Sequence, residues 1–162
     1  MDRTRWEADL AGCYARVLRA LAAAAGSFVL AEDALQDALV AALRPGVIES
    51  MDRVEGWLYV AGIRALRRAR WRRRLERGFA SLRLAAPPPT EDRLEVERLL
   101  GRLTPRQRQI VVARYYLGLS YQEIASQLEI SVGAATSTVS QALARLRKRS
   151  ARDQERQWTN AK

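Results

Sequence analysis

Pro87, Pro88 and Pro89 cannot lie inside a helix, because each lacks the N–H that a helical hydrogen bond needs and crowds the carbonyl four residues back. Through most of the 162 residues, apolar side chains recur at three- and four-residue spacing, and no run alternates as a strand would. The spacing predicts an all-α chain of two small helical domains joined by a Pro-rich linker. The halves are 1–80 and 91–150, the linker 81–90, and a polar tail occupies 151–162. A chain of this length suits two small units, each with a modest core.

Three long helices are expected in the first half, from about Arg5 to Ala25, Leu30 to Leu43, and Val54 to Arg77, with "RPGVIES" (44–50) parting the last two. The second half opens with Thr90 as a cap for "EDRLEVERLLGRL". Thr104 caps the next helix, with Pro105 at its first position, where the missing N–H costs nothing. Gly118 ends that helix, Ser120 with Glu123 forms a capping box, and Ser131 caps the last helix. The turn "LEIS" between the final two helices and the basic exit "RLRKR" give this stretch the layout of a helix-turn-helix, whose second helix enters the major groove of DNA. The second domain therefore ends in that unit.

The last helix has an expected inward face of Val132, Ala135, Val139, Ala142, Leu143 and Leu146. Its other side carries Gly133, Ser137, Ser140, Gln141 and Ala144, flanked by Thr136 and Thr138. No charge falls between Val132 and Ala144. Hydroxyls and amides can meet base edges, but they attract phosphate weakly. Phosphate contacts are left to Arg145, Arg147, Lys148 and Arg149 at the exit.

Charge points the same way. Lys and Arg total 28 against 18 Asp and Glu, a net +10, and only Lys148 and Lys162 among the cations are not Arg. Arg suits phosphates and base edges, and here it is clustered, as expected for a polyanion partner. The densest run is "RALRRARWRRRLER" (64–77). On a helical wheel, Leu58, Ala61, Gly62, Ala65 and Ala69 form a packing stripe. Arg64, Arg67, Arg68 and Trp71 fall on another side with Val60, and Arg70 lies within the same run. Arginines around an aromatic platform fit single-stranded or distorted nucleic acid, since bases can stack on the ring. Trp57, at the start of this helix, is expected in the first-half core.

Several chemistries lack their residues. There is no His, the commonest general base and metal ligand, and no acidic pair at catalytic spacing, so neither an enzyme nor a cofactor or metal site is expected. The lone Cys13 lies among apolar residues and reads as a small core thiol in a reducing compartment. The apolar stretch Ala20 to Ala31 is too short to span a bilayer and the N-terminus lacks a signal-peptide layout, so a cytoplasmic protein without membrane contact is expected.

The stretch "LTPRQRQIVVARYYLGLSYQEIASQLEISVGAATSTVSQALARLRKR" (103–149) closely resembles the promoter-binding domain of bacterial sigma factors of the extracytoplasmic-function class. "AEDALQDALVAAL" (31–43) resembles that family's polymerase-clamp helix, and "EGWLYVAGIRALRRARWRRR" (55–74) its promoter-melting helix. The resemblance implies a first domain for the polymerase clamp and the −10 element, and a second for the −35 element. It implies core RNA polymerase and promoter DNA as partners, with an anti-sigma protein as a further one.

Residue by residue, the resemblance assigns Arg64, Arg67, Arg68, Arg70 and Trp71 to the −10 element and melting. It assigns Ser131, Thr136, Ser137, Thr138, Ser140, Gln141 and Arg145 to the −35 element. Glu32, Asp33, Gln36 and Asp37 are assigned to polymerase. These four also lie near the expected start of their helix, where carboxylates favour the dipole. Two departures stand out. The family usually has basic residues at Thr136, Thr138 and Gln141, and its "ARNxxxD" pattern is replaced by Ile63, Arg64 and Arg68 at the Arg, Asn and Asp positions. The expected function is therefore a sigma factor. The alternatives are a stand-alone DNA-binding regulator and a sigma-like decoy that occupies polymerase or an anti-sigma partner.

Overall fold

The computed structural model describes residues 1–75 and 91–160, with side chains described for 1–69 and 94–148. The expected linker and the Thr90 cap lie outside the described residues, as do the side chains of Arg70, Trp71, Arg149 and the tail. Among the described residues there are seven helices and no strand: α1 Arg3–Ala25, α2 Phe28–Ala42, α3 Val54–Leu75, α4 Glu91–Gly101, α5 Pro105–Tyr115, α6 Tyr121–Leu128 and α7 Val132–Asn160.

Local chemistry sets most of the boundaries. Asp2 caps α1 by accepting from the Arg5 amide at 2.8 Å, and α1 closes at Gly26, whose φ of 71° is the left-handed conformation that glycine adopts freely. Ser27 then caps α2, so this helix starts at Phe28 rather than near Leu30. Glu32, Asp33, Gln36 and Asp37 consequently lie beyond its first turn, where the dipole's influence has faded.

The first half packs α1, α2 and α3 around Val17, Leu21, Leu35, Leu58 and Ile63, all inaccessible to solvent. Burying side chains of this kind contributes roughly 1.5–3 kcal/mol each. Gly62 lets α1 and α3 approach closely: a Cβ there would sit 2.7 Å from Leu21 Cδ1.

The second half packs α5 and α6 against α7, and it also packs on the first half, α5 on α1 and α6 on α3. One apolar cluster runs from Trp6 through Leu58 and Tyr59 to Ile110, Leu119, Ile124 and Val139. A smaller cluster gathers Leu103, Val111 and Ala142. Two expectations change as a result. Val60 is buried rather than sharing an exposed side with the arginines, because α3 is covered from both sides along its N-terminal half. Val132, placed inward by its spacing, is 43% exposed, being the first residue of α7, while Ala135 in the same turn is fully buried. Trp57 is half-buried and packs on the core, as expected. Among the described residues, no helix is long and apolar enough to cross a membrane.

Candidate nucleic-acid interface

The helix-turn-helix is built from its caps. Thr104 accepts from the Gln107 amide while the Gln107 side chain accepts from the Thr104 amide, a full capping box with Pro105 at the first position of α5. Ser120 and Glu123 repeat the box on α6, with the Ser120 amide donating to Glu123 Oε2 at 2.7 Å. That amide hydrogen bond is the main cause holding the Glu123 carboxyl below its ordinary range. The Ser120 hydroxyl and Arg53 assist, against an opposing push from burial. Glu129 ends α6 with φ 56°, and the Ile130 amide donates to the Ala125 carbonyl, turning the chain into α7. Ser131 Oγ accepts from the Ala134 amide at 3.1 Å.

Ala135, Val139 and Ala142 hold α7 in place and are buried. The opposite face is open: Ser131, Thr136, Ser137, Ser140, Gln141 and Arg145 are exposed, and Thr138 is half-buried. The hydroxyls are partly committed. Thr136 Oγ1 donates to the Val132 carbonyl at 3.0 Å and Thr138 Oγ1 to the Ala134 carbonyl at 2.7 Å, which leaves methyl groups and oxygen lone pairs to an incoming ligand. Gln141 Nε2 donates to Ser137 Oγ at 3.2 Å, so one amide hydrogen is anchored while the carbonyl oxygen and second hydrogen stay available. Among the described side chains, this face offers shape and hydrogen bonds, with charge only at Arg145, Arg147 and Lys148.

Comparison with known proteins bears on this unit directly. Residues 93–146 match the family described as Sigma-70, region 4. Over that stretch, about the last two helices and the two before them, the chain is similar to sigma-70 region 4. The fold also resembles a solved structure, the sigma factor RpoE in complex with the anti-sigma factor NepR from Bartonella quintana. The TM-score is 0.72 at 22% identity, covering 89% of this chain and 95% of that one. No curated protein sequence matches the chain. The resemblance read from the sequence thus holds for the fold across nearly the whole chain, and residues 93–146 are similar in sequence to sigma-70 region 4.

The helix-turn-helix half does not stand apart from α3. Tyr59 Oη donates to the Gln109 carbonyl at 2.8 Å, Arg53 Nη1 to Glu123 Oε1 at 3.0 Å, and Arg64 Nη2 to both the Gln127 carbonyl and Glu129 Oε1. Arg19 Nε donates to Tyr116 Oη at 3.1 Å. A crevice of about 220 Å³ runs between the halves, lined by Asp52, Arg53, Trp57, Arg64, Glu123 and Gln127 among others. Of the arginines expected to face nucleic acid, Arg67 and Arg68 are exposed on α3, whereas Arg64 reaches across to the helix-turn-helix. Arg70 and Trp71 continue the helix.

On α2, Asp33, Gln36 and Asp37 are exposed and Glu32 is half-buried. Val40, 67% exposed, and Leu43, 56% exposed, extend the exposed side of this helix. The combination of carboxylates with open apolar side chains was not apparent from the acidic residues alone. Cys13 is half-buried, and burial first, then the Glu55 and Asp9 carboxylates, push its thiol up, away from a reactive thiolate.

Proposed function

We propose that the chain is a sigma factor of the extracytoplasmic-function type, which binds core RNA polymerase, directs it to promoters and helps open them. Residues 1–80 act as a region 2-like domain and 91–150 as the −35 reader. The observation that carries this reading is the region 4 match on a helix-turn-helix whose outward face is exposed. Ser137, Ser140 and Gln141 meet base edges, with Thr136, Thr138 and Ser131 alongside, and Arg145 reaches phosphate.

The exposed Asp33, Gln36 and Asp37, with half-buried Glu32, support α2 as the polymerase contact, and Val40 and Leu43 supply apolar area beside them. Arg64, Arg67, Arg68, Arg70 and Trp71 serve the −10 element and the melted strand. A charge-poor recognition helix suffices because polymerase and α3 hold it near its site, raising its effective concentration. The protein acts by binding, in the cytoplasm. An anti-sigma partner is proposed because the Bartonella relative was solved bound to one.

Retention of the full chain on core polymerase, followed by run-off transcription from genomic fragments, tests the reading. Retention with transcripts supports it. Retention without transcripts favours a decoy, and DNA binding without retention favours a stand-alone regulator.

A further inference from the structure

Arg64, which replaces Asn in the "ARNxxxD" pattern, leaves its own half of the molecule. Its Nη2 lies 2.8 Å from the Gln127 carbonyl oxygen and 2.9 Å from Glu129 Oε1. The Gln127 carbonyl is among the last four of α6, which have no partner within the helix and carry the negative end of its dipole. A guanidinium here completes the cap from a distant part of the chain. Glu129 adds a second requirement, since its left-handed φ of 56° is one that residues with a Cβ adopt reluctantly. The turn that aims α7 is thus held from outside by a side chain of α3.

That guanidinium is also within reach of nucleic acid. Its side chain is 46% exposed, and Arg67 and Arg68 beside it on α3 are open to solvent. To a guanidinium, carboxylate and phosphate are alike: planar or tetrahedral, each presents paired oxygens to the same fork of N–H groups. Glu129, 80% exposed, gives Arg64 such a carboxylate partner at 2.9 Å. The neighbouring Ile63 is fully buried and anchors this part of α3, while Arg64 beside it reaches out to the α6–α7 turn.

We propose that Arg64 is a positioning residue for the α6–α7 turn, and that a DNA strand reaching α3 competes with Glu129 for it. Strand binding at α3 and support of the helix-turn-helix turn therefore oppose one another, and by linkage each weakens the other equally. This deepens the reading of α3 as a strand-facing helix and rests on it. The effect is salt-sensitive, because the pair is exposed.

Amide hydrogen exchange of the full chain, with and without a short thymidine oligonucleotide at low salt, tests the proposal. The amides of Glu129 and Ile130, both bonded to the Ala125 carbonyl, report on the turn. Adding oligonucleotide to the wild type should speed their exchange about two- to fivefold. In Arg64→Gln exchange should already be fast and unmoved by oligonucleotide. Glu129→Gln should bind oligonucleotide about two- to fivefold tighter than wild type, and more than Glu95→Gln, which removes the same charge from the exposed side of α4. That gain should vanish in the Arg64→Gln background.

An equal gain in both backgrounds means bulk charge alone and overturns the competition. So does oligonucleotide binding that leaves the turn unchanged, or no oligonucleotide binding by any variant. Equal exchange in free wild type and free Arg64→Gln overturns the positioning role. Retention on core polymerase is a separate readout, so failure here and failure of the sigma-factor reading are distinguishable.

Discussion

The phenol of Tyr59 on α3 donates to the backbone carbonyl of Gln109 on α5, 2.8 Å away and 50 residues further along the chain. Tyr59 is fully buried, and burial pushes its ionisation far above the usual range, so the hydroxyl stays a donor at any ordinary pH. Tyr59→Phe keeps the ring and removes only this bond between the halves. A loss of about 0.5–1.5 kcal/mol is expected in urea unfolding with an unchanged m-value. Leu58→Ala, which opens a cavity beside it, should cost more, about 2–5 kcal/mol.

Acid should weaken the helix-turn-helix through Glu123. Its folded pKa is lowered, so its contribution is present above the unfolded value of about 4.3 and is lost as pH falls through the folded value. Glu123→Gln retains the capping box, as Gln107 does on α5, but removes the titration and the Arg53 ion pair. Urea melts at a series of pH values should show a shallower loss of stability below about pH 4.3 in this variant than in wild type.

Asp33→Lys with Asp37→Lys should lower core-polymerase affinity at least about fivefold, with the larger part in the association rate and at low salt. Because both residues are exposed and lie past the first turn of α2, circular dichroism and melting temperature should stay near wild type. Unchanged affinity in the folded double variant would remove α2 as the polymerase contact.

The isolated recognition chemistry predicts a shallow salt dependence for −35 binding by the full chain. Thr136→Lys and Gln141→Arg each add one phosphate contact and should each steepen the slope of log affinity against log salt by about 0.9, while blurring preference among sequences. Gln141→Ala should instead leave the slope alone and cost about 1–3 kcal/mol of discrimination at a single base pair. Fluorescence titrations at several salt concentrations, with one base pair varied at a time, measure both.

Local features were legible in the sequence and distant ones were not. Thr104, Ser120 and Ser131 were readable as caps because a cap and the amide it bonds lie within three residues of each other. Ser27 was missed because the apolar Phe28, Val29 and Leu30 that follow it gave no polar signal of a helix start, and the acidic residues drew the boundary towards themselves. Val60 was misplaced for a different reason: a wheel drawn for one half cannot know that a second half covers the other side of the helix. The unusual Arg64 was visible, but its partners lie 63 and 65 residues away, and no spacing rule reaches that far.

The unbroken cluster from Trp6 to Val139 bears on how the molecule melts. Two domains joined only by a linker would unfold independently, each with its own small enthalpy. Here α3 forms one wall for both halves, so losing either exposes apolar surface on the other. The closed chain should then behave as a single cooperative unit, with one calorimetric transition, and the slowest-exchanging amides of α7 should share the global opening of α3. A reading helix that would be marginal alone borrows its rigidity through α5 and α6, which α1 and α3 in turn hold.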